Sequence, residues 1–147
     1  MVVMIAQILP PRRNLGNADA QMALAAVYYG GMGVSQDITI SAKWFRKAAE
    51  QGNMEAVLIL GTLYMSGQGV PKDIYEGVRW IREAAESGDA KAQGMLGSII
   101  STGRIPSKDH LVEAYMWLSL AVAQGERTLS LELKREWLNF FLHSKRI

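Results

Sequence analysis

Residues 53–88 read NMEAVLILGTLYMSGQGVPKDIYEGVRWIREAAESG, and residues 17–52 read NADAQMALAAVYYGGMGVSQDITISAKWFRKAAEQG. Laid over one another without a gap, the two stretches share Ala20/Ala56, Leu24/Leu60, Tyr28/Tyr64, Gly31/Gly67, Gly33/Gly69, Val34/Val70 and Asp37/Asp73. The matches continue through Trp44/Trp80, Ala48/Ala84, Ala49/Ala85 and Gly52/Gly88. A third copy, residues 89–125, keeps Ala92, Leu96, Gly97, Gly103, Asp109, Trp117, Ala121 and Gly125, with one residue inserted between Asp109 and Ala114. Of the 14 glycines, all but Gly30, Gly77 and Gly94 fall in phase. A fixed period of this length is the signature of stacked repeats.

Each copy predicts two helices. Apolar residues at Ala20, Leu24, Val27 and Tyr28 give the helical spacing over about 18–29, and Ala42, Phe45, Ala48 and Ala49 give it over about 39–50. Between them lies a turn rich in glycine and polar residues (GGMGVSQD, SGQGVPKD, TGRIPSKD). Asp37, Asp73 and Asp109 close these turns where a helix takes an N-cap or a first-turn acid. Copies join at Gly followed by Asn or Asp: glycine suits the left-handed position past one helix, and the polar side chain caps the next. Small residues recur where helices meet, at Ala25, Gly61 and Gly97 and at Ala48, Ala84 and Ala121. The in-phase Leu, Tyr and Trp fill the layers between, so the recurring Trp is expected in the core.

These residues resemble the Sel-one-like repeat family, related to the tetratricopeptide repeats. The second copy carries the whole pattern (Ala56, Leu60, Gly61, Tyr64, Gly67, Gly69, Val70, Asp73, Trp80, Ala84, Ala85, Gly88). The first departs at Ala25, and the third at Ile100, Ile105 and Pro106. The resemblance implies an all-α fold, a right-handed α/α solenoid of three helix-pair repeats (17–52, 53–88, 89–125), and a non-catalytic role in binding a protein or peptide. In the related tetratricopeptide proteins the first helices line a concave groove. By that register the face comprises Asp19, Met22, Ala26 and Tyr29, then Glu55, Leu58, Thr62 and Met65, then Lys91, Gly94, Ser98 and Ser101. The competing reading packs some of these inside the solenoid. A narrower version of the same function is an immunity or adaptor protein that blocks one toxin or enzyme.

Composition limits the alternatives. The chain has 147 residues, 49% hydrophobic and 20% charged, enough for one globular domain. It has no cysteine and two histidines, which excludes disulfides, thiolate sites and polyhistidine metal centres. No cofactor is expected. The cysteine-rich relatives to which lactam hydrolysis is attributed are therefore a poor match. Ser107, Asp109 and His110 offer a superficial triad, but three nearly adjacent residues do not converge as a triad must. His143 is expected at the surface, where a cation suits a helix end. The Gly31–Gly33 and Gly67–Gly69 turns lack the strand and the Lys-Ser/Thr of a phosphate loop. Net charge is +2, and no run of basic residues exceeds two, which disfavours nucleic acid. No stretch is long enough to span a membrane. Residues 1–16 start with a nine-residue, mostly apolar stretch (MVVMIAQIL) and two prolines, an expected packed arm or the stub of a trimmed chain. The absence of cysteine and of a clear signal leans to the cytoplasm. Residues 126–147 hold the stripe Leu133, Trp137, Phe140 and Phe141, a capping helix over the last repeat. Leu131, Leu138 and Leu142 widen its apolar arc, so it is either sandwiched or meets a partner, a homodimer through this helix being one form.

Overall fold

The computed structural model describes residues 16–106 and 108–125. Among these, six helices and no strand are present: α1 Ala18–Gly30, α2 Ile38–Glu50, α3 Met54–Ser66, α4 Ile74–Glu86, α5 Ala90–Ser101 and α6 His110–Ala123. The fold is an all-α repeat fold with two helices per copy. The expected arm (1–16) and the C-terminal helix (126–147) lie outside the described residues, apart from Gly16.

The joints between copies follow from their chemistry. Gly52 and Gly88 have φ of 86° and 95°. The Gly52 amide donates to the Ala49 carbonyl and Asn53 to that of Ala48, a pattern repeated by Gly88 to Ala85 and Asp89 to Ala84. This is the paired closure of a helix by a left-handed residue. On the same residues the next helix begins: the side chains of Asn53 and Asp89 accept from the amides of Ala56 and Ala92. The turns inside the first two copies also match. Gly31 and Gly67 are left-handed caps whose amides donate to Val27 and Leu63. Asp37 and Asp73 then accept from Ile40 and Glu76. Asp109 differs: it precedes α6 without a side-chain cap bond. The inserted residue lies in the first turn of α6, which has 14 residues against 13 in α4.

The chain divides into two compact units, residues up to Trp80 and residues from Ile81, with the division inside α4. In the first, α2 packs on both α1 and α3. Its core includes Leu24, Val27, Phe45, Ala48, Leu60, Leu63, Val78 and Trp80. In the second, α5 packs on α6, with Ile81, Ala84, Leu96, Ile100, Trp117, Leu118 and Ala121 buried. Each pair meets at a small residue from both partners. The Ser41 hydroxyl donates to the Ala25 carbonyl at 2.7 Å. A Cβ on Gly77 would stand 2.6 Å from the Gly61 carbonyl oxygen, and one on Gly97 2.7 Å from Leu118 Cγ and 3.1 Å from the Ala114 oxygen.

Two of the three recurring tryptophans are core residues. Trp80 is buried and donates its indole N–H to Glu76 at 3.0 Å. Trp117 is buried, and its indole N–H meets no acceptor among the described residues. The in-phase acid Glu113 instead accepts from Arg82 at 2.9 Å. Trp44 departs from the expectation: it is half-buried, with the Lys47 ammonium 4.2 Å from its ring centre.

Candidate functional site

The first-helix face is built on α1 and α3 in the unit that ends at Trp80. Both helices begin with an acid in the first turn, Asp19 and Glu55, which suits the positive end of the helix dipole. Neither helix contains a lysine or arginine. Two links hold their starts together: Asn53 donates to Asp19 at 3.4 Å, and Gln51 to Gln21 at 2.7 Å.

The residues placed on this face by register do not behave alike. Asp19, Tyr29, Glu55 and Thr62 are exposed, while Met22, Ala26 and Met65 are half-buried. Tyr29 leaves 42% of its surface to solvent and stands edge-on to Phe45 with ring centres 6.4 Å apart. Its backbone carbonyl accepts from Gln36 at 2.8 Å. The aromatic ring is thus held from behind and open in front. The Thr62 hydroxyl is turned onto its own helix, donating to the Leu58 carbonyl at 2.9 Å. Met65 leans on α4, where a Cβ on Gly77 would stand 2.6 Å from its Cγ.

Leu58 corrects the register reading: it is a core residue, 7% exposed, not a surface one. The reason is that α3 is packed by both α2 and α4, so its buried arc is wider than that of α1, where the in-phase Met22 is half-buried. In the unit that begins at Ile81, Lys91 is exposed, Ser98 and Ser101 are half-buried, and Gly94 is buried. Ser101 donates to the carbonyl of Ser98 at 2.8 Å.

Asp109 and His110 are consecutive at the start of α6, while Ser107 and His143 lie outside the described residues. The turn at Gly69 serves packing, since its backbone abuts the Ile38 carbonyl and leaves no room for a side chain. Among the described residues no three His, Cys, Asp or Glu side chains are grouped to hold a metal. No described helix is long and apolar enough to cross a membrane. The sequence reading missed a second apolar surface, where Val112, Tyr115, Met116 and Leu120 are exposed on α6.

Comparison with known proteins bears on this architecture. No curated protein matches the chain. Among solved structures, a Sel1 repeat protein from Oxalobacter formigenes is 32% identical, with a TM-score of 0.76. The match covers 88% of this chain and 52% of that one. A protective antigen of uropathogenic Escherichia coli that displays an SLR fold is 36% identical, with a TM-score of 0.72 over 85% of this chain and 26% of its own. Cysteine-rich protein B of Helicobacter pylori is 28% identical, with a TM-score of 0.52 over 54% of this chain and 59% of that one. The chain thus spans about half the length of the first of these structures and about a quarter of the second. The Sel1 repeat model matches residues 18–53, 55–89 and 90–126, within two residues of the boundaries set by the Gly–Asn and Gly–Asp joints. With most of its length in three such matches, the chain belongs to the Sel1 repeat family, whose members generally serve as protein-interaction modules.

Proposed function

We propose that this chain is a non-catalytic interaction module that takes a partner protein or peptide on the first-helix face of α1 and α3. The observation that supports this best is Tyr29, an aromatic side chain braced by Phe45 and yet 42% exposed, next in register to the half-buried Met22 and Ala26. Tyr and Met are enriched at interfaces because they bring large contact area that adapts to a partner. Asp19 and Glu55 set an acidic rim that no base within α1 or α3 offsets. The partner class this favours presents apolar side chains with a basic group beside them.

The test compares the wild-type chain with Met22→Glu/Tyr29→Ala, each immobilised and exposed to native extract, with retained proteins identified by mass spectrometry. The expected result is a protein held by the wild type, lost by the variant, and weakened in a salt-dependent way by Glu55→Lys. Retention unchanged in the variant, with its helix content intact, would place binding elsewhere.

A further inference from the structure

The outer side of the second helix changes character in the last copy. In α2 it carries Thr39, Lys43, Lys47 and Glu50, all exposed even though α3 packs on that helix. In α4 the in-phase residues are Tyr75, Arg79, Glu83 and Glu86, again all exposed. In α6 the same positions are Val112, Met116, Leu120 and Ala123, still exposed, with Val112 at 49%, Met116 at 45% and Leu120 at 43%. Charge has been replaced by apolar surface at positions that stay open in α2 despite the helix that follows it. Continuing the repeat would therefore not cover them.

We propose that this face of α6 pairs with the same face of a second copy of the chain. Val112, Met116, Ser119 and Ala123 are spaced four, three and four residues apart, the seam spacing of two packed helices, with Tyr115 and Leu120 on its flanks. An antiparallel pairing about a two-fold axis level with the peptide between Trp117 and Leu118 sets Val112 against the partner's Ala123. It sets Met116 against the partner's Ser119, with the Tyr115 flanks of the two copies together on one side of the seam and the Leu120 flanks together on the other. Along the seam each larger residue then meets a smaller one, and an isologous contact requires this self-complementarity of a single patch. The six residues carry no charge, so two identical copies meet without like-charge repulsion. The nearest acid, Glu113, is already paired with Arg82 in its own chain. Six residues are few beside the roughly 20–30 per side of a standard stable interface, so pairing is expected at micromolar concentration or above.

The experiment is sedimentation equilibrium of the whole chain over about 5–500 µM, a range that brackets a dimer of micromolar Kd. A monomer–dimer equilibrium is expected, weakened at least tenfold by Met116→Lys and separately by Leu120→Arg, with helix content and Tm unchanged. Because the chain has no cysteine, orientation is read by cross-linking. Mixed Met116→Cys and Ser119→Cys chains should form a disulfide-linked pair, and Met116→Cys alone should not. A monomer throughout the range overturns the proposal. So does a dimer indifferent to both substitutions, loss of fold in both variants, or ready self-cross-linking of Met116→Cys.

Discussion

Gly77→Ala is the sharpest test of how α3 and α4 meet. In an open helix, alanine is preferred over glycine by about 1 kcal/mol. At Gly77 the new Cβ would stand 2.6 Å from both the Gly61 carbonyl oxygen and Met65 Cγ, where ordinary contact begins at 3.4 Å. Met65 can rotate away, but the carbonyl belongs to the backbone of α3, so the helices must part by roughly 0.8 Å. Overpacking costs about 1–3 kcal/mol, and a clash with backbone belongs to the upper part of that range, about 2–3 kcal/mol. The clash therefore outweighs the propensity gain, and we expect a net loss of about 1–2 kcal/mol. For a chain of this size that lowers Tm by about 2–8 °C. Urea unfolding followed by far-ultraviolet circular dichroism measures it, with Gly30→Ala as the control. Gly30 also lies in a helix, but its Cβ would meet only Met32 Cγ at 3.5 Å, so that change should be neutral or stabilising. If Gly77→Ala stabilises the chain as an open helix site would, α3 and α4 do not approach as described.

Gly52→Ala and Gly88→Ala meet no neighbour within 4 Å, so their cost is conformational alone. Each should lose about 1 kcal/mol or somewhat more through the positive φ, read by the same urea titration. Trp80→Ala should cost about 3–5 kcal/mol, and an unchanged Tm would show that the indole is not core. Arg79 donates two hydrogen bonds to Glu76, and these, ahead of the opposing burial, hold its carboxyl below the usual glutamate value. A depressed carboxylate adds stability that is complete above the unfolded value of about 4.3 and is lost as pH falls through the folded one. The exposed pair is worth no more than about 1 kcal/mol. Trp80 fluorescence should follow this transition below about pH 4, stay flat from pH 5 to 8, and lose the transition in Glu76→Gln.

The helix pairs and their joints were legible because each is fixed locally. A left-handed glycine followed by Asn or Asp has one reading wherever it recurs, and Gly52 and Gly88 take the conformation that reading requires. The inward half of each helix crossing was legible at Ala25, Gly61 and Gly97. Its other half, Ser41, Gly77 and Ala114, was equally in phase but hidden by its varied chemistry, a hydroxyl, a hydrogen and a methyl. The candidate face was harder because exposure depends on how many neighbours a helix has. Met22 and Leu58 hold one register position, yet the second lies on a helix packed by both α2 and α4. Trp44 shows the reverse, a core position left partly open at the first copy. The α6 face was readable in principle, since Thr39, Lys43 and Lys47 against Val112, Met116 and Leu120 is a contrast in sequence alone. It gains meaning only once those positions are known to face outward.

The joints have a consequence for how such a chain can change length. Helix closure and helix opening are both written into one dipeptide, Gly52–Asn53 or Gly88–Asp89, and each half acts only on its own side. Removing residues 53–88 would bring Gly52 directly onto Asp89 and recreate a junction of the kind already present at Gly88–Asp89. Copying those residues would likewise create a Gly88–Asn53 junction that can close one helix and cap the next. Units cut at this point are interchangeable parts, so gain or loss of a whole copy leaves the local grammar of the chain intact. A cut inside a helix would strand half a seam of small residues without its mate.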